Sequence, residues 1–367
     1  MQKKGKRIGI AIGAVNAVLL IVFGVIYLNI YILGRDNIAE SAKNAWDGGV
    51  YKYGQVSLFL APENGLDLMG AYSLKQDIEG KLKDASVSNK IKGTDGAPDR
   101  TVEGRLWIDC GYGEAEVTVN GIKGSCDVIA GGTYNDFFIF HPEKLLSGSY
   151  YTPESINTDT VVIDKQCSWQ LFGGIDTAGM TVTISGREYR VAAVVDCPFE
   201  GDAFAAYGSK PRIYMPYEAL CNIVPGTLMT AYEICIPNVV KDFPKTVMTE
   251  VNGAPEKKSA VVDQTGRFDI VTLFKGFGEI SQSAIVDTSL AYPWYENKIR
   301  TAEIKAKILA GFGVYLLIIP LISTVYGLFC LVKALGAGAR YIKNKAENAY
   351  QKKISEAYYK KRGHIEN

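Results

Sequence analysis

Residues able to do chemistry are few in this chain. Only two of its 367 residues are histidines. His141 sits in FFIFHPEKLL, beside an apolar run that points to a structural role, and His364 lies in a charged tail. No HExxH or other metal-ligand spacing occurs, and no GxSxG elbow presents a serine for acyl transfer. A GxxxxGKS/T loop is also missing, so this polypeptide does not itself supply the amide cradle and lysine of P-loop ATP hydrolysis. The glycine-rich LFGGIDTAG (Leu171 to Gly179) has no lysine and opens no convincing helix, so it reads as a turn. Asp95 and Asp99 in GTDGAPD lack the spacing and terminal Glu of a calcium loop and read as solvated. So small a stock of bases argues against hydrolytic catalysis. The sequence therefore predicts no catalytic residue, no cofactor, no metal and no nucleic-acid partner.

Cysteine leaves alternatives open. Six of the seven, Cys110, Cys126, Cys167, Cys197, Cys221 and Cys235, fall in the central part of the chain, and none is in a CxxC spacing. An even count allows 15 disulfide pairings. Cys110 and Cys126 flank a predicted hairpin and are the first pair to test, with free buried thiols as the plainer reading.

The elements that hold these residues are set by two oily runs. Ile8 to Leu33 and Ile308 to Val332 carry no charge, and each exceeds the roughly 20 residues that cross a bilayer as a helix. Lys3, Lys4, Lys6 and Arg7 precede the first, while nine Lys or Arg against three Glu follow the second. These flanks are +4 and +6 in a chain of net charge +1, which leaves −9 for the middle. By the positive-inside rule both termini are expected in the cytoplasm and the acidic middle outside. The first run is too long for the apolar region of a cleaved signal peptide, and only Ala39-Glu40-Ser41 resembles a cleavage site, so a signal anchor is expected. Asn16 and Asn29 could bond another helix for about 1 kcal/mol, the simplest partner being the second span or another copy. Pro320 lacks an amide, and Ser323 and Thr324 could satisfy the carbonyls it frees.

Periodicity divides the middle. Gln55 to Leu60, Gly70 to Lys83 and Val87 to Ile91 read as strand, helix and strand, ending in a loop at Lys92 to Arg100; a helical continuation from Asp36 to Trp46 breaks at Gly48-Gly49. Two hairpins follow, one turning at Asn120-Gly121 and one, with Val182, Ile184, Tyr189 and Val191 alternating, at Ser185-Gly186. Glu143 to Leu146 and Lys165 to Phe172 are short helical candidates. Leu228 to Ile236, Val239 to Val251 and Ser259 to Val262 form a second strand-helix-strand unit, and a long helical segment from about Phe274 to Lys307 feeds the second span. The fold class is thus an α+β ectodomain, β-α-β units with an inserted strand-rich subdomain, between two transmembrane α-helices. The divisions are 1–7, 8–33, 34–307 (outer units about 50–100 and 226–272 around an insertion at about 101–225), 308–332 and 333–367.

From Phe137 to Leu220 the order of elements and letters, FFIFHPEKLLSGSYY, then VVIDKQCSWQLFGGIDTAGMTVTISGREYRVAAVV, then PRIYMPYEAL, resembles the extracytoplasmic core domain of MacB-like and FtsX-like ABC transporter permeases. The resemblance implies a porter-like subdomain interrupted by a strand-rich one. It also implies non-catalytic work, transmitting or sensing conformational change with a separate cytoplasmic ATPase and other membrane subunits, or a homo-oligomer. Family permeases have three membrane helices after this domain, whereas this chain has one. In the tail, Ile342, Ala346, Ala349, Tyr350, Ile354 and Tyr358 recur every three to four residues opposite a Lys-rich face. That face fits anionic membrane lipid or, as in the family's coupling segment, a partner ATPase. The alternative function is a membrane-anchored surface binding or scaffold module, since fold does not fix function.

Overall fold

The computed structural model describes residues 2–37, 39–46, 51–91, 100–101, 104–153, 158–198, 200–255, 258–279, 290 and 292–363. The expected Gly48-Gly49 break, the loop at 92–99 and His364 lie outside them. In chain order the elements are α1 (Gln2–Asn37), α2 (Ser41–Trp46), β1 (Tyr53–Leu60), α3 (Leu68–Asp84), β2 (Lys90–Ile91), β3 (Arg100–Thr101), β4 (Ile108–Asn120), β5 (Ser125–Asn135), α4 (Phe137–Phe140), β6 (Leu145–Gly148) and β7 (Thr160–Asp164). They continue with α5 (Lys165–Phe172), β8 (Thr181–Ile184), β9 (Arg187–Val195), α6 (Gly201–Tyr207), β10 (Arg212–Pro216), α7 (Tyr217–Ile223), β11 (Ala231–Pro237), α8 (Phe243–Val251), β12 (Ser259–Asp263), α9 (Ile270–Lys275) and α10 (Trp294–Gly363). Two compact units result, Asn29–Ile308 and a second made of Met1–Leu28 with Leu309–Asn367.

The second unit holds most of both oily runs, which lie in two helices long and apolar enough to cross a membrane. Asn16 Nδ2 donates to Ser323 Oγ at 2.6 Å, so the first span finds its polar partner on the second. Ser323 and Thr324 donate to the carbonyl of Pro320 itself, at 2.9 and 2.7 Å, rather than to the carbonyl one turn earlier that Pro320 frees. Both hydroxyls fold back within their own turn.

In the first unit ten strands form one sheet ordered β12-β1-β11-β4-β5-β10-β7-β9-β6, with β8 bonded to both β4 and β9. That last pairing closes β4-β5-β10-β7-β9-β8 into a six-stranded ring, and Val119, Val128, Val161, Ile163, Ile184 and Val191 fill it. The strands at the other end carry α3 and α8 over Val56, Leu58, Ile234 and Ile236. A third core, centred on Tyr112, Phe137, Tyr214 and Tyr295, brings the start of α10 against the sheet. The long β4 belongs to both parts: Ile108 to Tyr112 pair with β11, and Val119 and Asn120 pair with β8.

Local signals account for much of this. Asp164 caps α5 by accepting from Cys167 N at 2.7 Å, and Gly173 ends it at φ 77°. Ser185 and Gly186, at φ 48° and 78°, make the two-residue turn between β8 and β9. Three expectations are corrected. The Val87 to Ile91 strand shrinks to β2, which among the described residues pairs with β3 alone, and the neighbours of β1 are β11 and β12, both antiparallel. Glu143 to Leu146 is not helical, because Leu145 pairs with Val195 on β9 and the ladder overrides local propensity. The long helix before the second span begins at Trp294, just after Pro293, and α9 ends at Lys275.

Candidate functional site

Charged and amide side chains form a continuous buried relay from the sheet to the first turns of α10, all within the Asn29–Ile308 unit. Strand register starts it. Ser57 on β1 lies opposite Glu233 on β11, and Glu233 lies opposite Cys110 on β4, so the three side chains share one face. Glu233 accepts from Ser57 Oγ at 2.6 Å and meets His141 Nε2 at 2.6 Å. Gln264, just beyond β12, donates from Nε2 to Ser57 Oγ at 3.0 Å and to Glu296 Oε2 at 3.1 Å.

Arg267 closes the far end. Its guanidinium grips Glu296 through two bonds, at 3.0 and 2.9 Å, donates to Gln264 Oε1 at 2.9 Å, and sends Nε to Glu303 at 2.6 Å. Lys307 meets the other oxygen of Glu303 at 2.7 Å. Glu296 is 1% exposed and Arg267 7%, so the fork is desolvated. Upstream, Glu40 accepts from Gly266 N and from Lys43, and Ala42 N donates to Gln55 Oε1, which ties α2 to the same floor.

Burial alone would drive these groups toward neutrality. The Glu233 carboxyl is pushed up by burial, but the charge and hydrogen bond of His141, joined by hydrogen bonds from Ser57 and Tyr295, outweigh that and hold it below the ordinary value. Burial likewise lowers Arg267, yet Glu296 and Glu303 more than compensate and raise it. Beside the relay Glu143, half-buried, accepts from Tyr214, whose hydroxyl also accepts from Trp294 Nε1 at 3.1 Å. Desolvation raises Glu143 to about 7, against the hydrogen bond from Tyr214, which favours the charged form. Tyr295 stacks on His141 with ring centroids 3.7 Å apart. Polar and aromatic contacts thus both join α10 to the sheet.

The residues singled out from sequence fall elsewhere. Cys110 pairs with Asn135 and Cys126 with Val119 on the same hairpin. Nine residues of strand, about 30 Å, therefore separate them, far beyond the roughly 7 Å between Cα atoms that a disulfide tolerates; the Cys110–Cys126 pairing, the first to test, is out of reach, and both are free buried thiols. Cys126 instead faces Cys167 in the ring core, close enough to share a hydrogen bond, which lowers Cys126 and raises Cys167. On the tail, Ile342, Tyr350 and Ile354 are exposed at 69%, 65% and 47%, with Ala346 exposed between them. Tyr358 continues the helix. His141, read as structural, turns out to be the hinge of the polar cluster. Sequence reasoning passed over Glu233, Gln264, Arg267 and Glu296. One signal was there: a single carboxylate in AYEICIP, an otherwise apolar strand, must be paired if it is buried.

The sequence model of the MacB-like periplasmic core domain matches residues 8–240. This chain belongs to the MacB-like periplasmic core domain family. Solved structures similar to it include the periplasmic region of MacB from Actinobacillus actinomycetemcomitans, at 15% identity and TM-score 0.37 over 57% of this chain and 88% of that one. Another is the extracellular domain of the noncanonic ABC-type transporter YknZ from Gram-positive bacteria, at 15% identity and TM-score 0.36 over 57% of this chain and 99% of that one. Among curated proteins none matches. As a MacB-like chain it is an ABC transporter permease-type subunit, and apolar helices on both sides of its core domain fit a two-pass membrane protein.

Proposed function

We propose that this MacB-like chain works as a membrane subunit whose extracytoplasmic domain transmits or senses conformational change, with a separate cytoplasmic ATPase and other membrane chains as partners. The relay from Ser57 through Arg267 to Glu303 carries the reading. It ties the sheet to the first turns of α10, and α10 runs unbroken through the second oily run. Packed, fully paired polar networks switch between discrete arrangements rather than deform smoothly, which suits a coupling element. The basic flanks favour cytoplasmic termini. In the tail, the face bearing Ile342, Tyr350 and Ile354 serves as the contact with lipid headgroups, the ATPase being the competing occupant.

Co-purification of the full chain in mild detergent tests this. The expected result is recovery of an ABC ATPase and further membrane chains, with ATP hydrolysis that changes when Arg267 is replaced. Recovery of this chain alone refutes the coupling role and favours a surface module. Removal of residues 334–367 decides the tail: an ATPase still recovered at the same level leaves lipid as the contact. Protease added to intact cells is expected to cut between residues 34 and 307 and to spare reporters at both termini.

A further inference from the structure

The row Ser57, Glu233, Cys110 ends in a cluster that neither the proposed coupling role nor the family assignment requires. Cys110 Sγ, His141 Nε2 and a carboxylate oxygen of Glu233 all lie within 4.8 Å of one another. They come from three separate pieces of the fold: β4, the turn after α4, and β11. Adjacent antiparallel strands fix two of them, because Cys110 and Glu233 are register partners, while His141 follows the last residue of α4. Cys110 and Glu233 are each 1% exposed. A second observation points into the same space. The Tyr295 hydroxyl is buried beside the Glu233 carboxylate and helps to hold it below its ordinary value, so a fourth donor atom, an oxygen, faces the cluster. Next to the cluster, a cavity of about 40 Å³ lined by His141, Tyr295 and Glu143 among others, though not by Cys110 or Glu233, reaches the histidine. That is room for one water molecule or one ion.

We propose that Cys110, His141 and Glu233 bind a single divalent transition cation of the zinc class, with the Tyr295 hydroxyl or a water in the fourth position. The donor set selects the class. Thiolate and imidazole discriminate against calcium and magnesium, and one sulfur, one nitrogen and one oxygen suit tetrahedral zinc or its cobalt substitute. Metal–ligand lengths of about 2.0–2.3 Å put tetrahedral ligand atoms a little over 3 Å apart. His141 and Glu233, now 2.6 Å apart, therefore open by well under 1 Å, and Cys110 closes in. The protons balance: the Cys110 thiol gives its proton to solvent, and the proton held between His141 and Glu233 leaves as the cation takes its place. Ser57, bonded to the other oxygen of Glu233, orients the carboxylate as an outer-shell partner. Bound metal clamps β4 and β11 to the turn under Tyr295 and so stiffens the end of the relay nearest the sheet.

The test uses the full chain in detergent, stripped with chelator and titrated with Co²⁺, then with Zn²⁺. One equivalent of Co²⁺ is expected to give the near-ultraviolet thiolate-to-cobalt band together with the visible bands of four-coordinate cobalt, and Zn²⁺ is expected to bleach both. Cys110→Ser abolishes the ultraviolet band, His141→Gln weakens Co²⁺ binding at least about tenfold, and Cys126→Ser, in the ring core, changes neither. Wild-type protein that shows no thiolate band, or a band that survives Cys110→Ser, overturns the proposal. If Cys110→Ser does not fold, the wild type decides by itself: a melting temperature that fails to rise with one equivalent of Zn²⁺ also overturns it. None of these readouts involves an ATPase, so the metal site and the coupling role fail separately.

Discussion

Replacement of Arg267 by methionine is the sharpest perturbation of the relay. The guanidinium makes four hydrogen bonds, two to Glu296, one to Gln264 and one to Glu303. Methionine fills similar volume but leaves Glu296, 1% exposed, with only the Gln264 amide. Stranding one member of a buried ion pair costs about 3–5 kcal/mol. In a unit as large as Asn29–Ile308, roughly 2 °C accompanies each kcal/mol, so Arg267→Met is expected to melt about 6–10 °C below wild type. The double variant Arg267→Met with Glu296→Gln removes the stranded charge and is expected to recover part of that, with a coupling of about 2–3 kcal/mol. Glu303 keeps Lys307 in both variants. Melting of the detergent-solubilised chain, followed by tryptophan fluorescence, compares wild type with both single variants, Arg267→Met and Glu296→Gln, and with the double. Because the pair is desolvated, the deficit is expected to be the same at low and high salt. A single variant within about 1 kcal/mol of wild type, or a double whose loss is the simple sum of the singles, refutes the claim that this fork holds α10 to the sheet.

Other expectations are independent of the fork. Glu143 has its pKa raised by burial from 4.5 to about 7, so its contribution is present below the ordinary value and lost as pH rises through about 7. Partial exposure trims the effect to roughly 1–2 kcal/mol between pH 5 and 8, and melting in chelator-containing buffer should lose that slope in Glu143→Gln. Gly148 sits at φ 75°, where an added Cβ would lie 2.1 Å from the Ala192 carbonyl oxygen, so Gly148→Ala should destabilise by at least about 2 kcal/mol. Gly80, inside α3 with nothing within 4 Å of its Cβ direction, should instead gain about 0.5–1 kcal/mol as alanine; chemical denaturation compares the two. Under a mild thiol oxidant, peptide mapping by mass spectrometry should recover a disulfide joining Cys126 to Cys167 and none joining Cys110 to Cys126; the reverse result would overturn the strand register of β4 and β5.

Several elements were legible from sequence because their causes are local. The oily runs needed only length and the absence of charge. The turn at Ser185-Gly186 needed only a residue tolerant of positive φ between alternating strands, and α5 needed only Asp164 before it and Gly173 after it. By contrast, Glu143 to Leu146 read as helix and became loop and strand, since the pairing of Leu145 with Val195 spans fifty residues. The expected partner of β1 was the strand following α3, yet β1 lies between β11 and β12, brought from the far end of the domain.

The pair of apolar helices, the polarity of their flanks and the family were all readable along the chain, because each rests on composition or on a contiguous pattern. Tertiary structure alone decided the ring closure through β8 and the site. Ser57 and Glu233 are 176 residues apart, and Gln264 lies 207 beyond Ser57. Which carboxylate meets which cation depends on strand register and on where α10 docks, and a shift of a single residue would send Glu233 to the opposite face. A chain of buried charges has no period to read; it exists only once the sheet has aligned its rows.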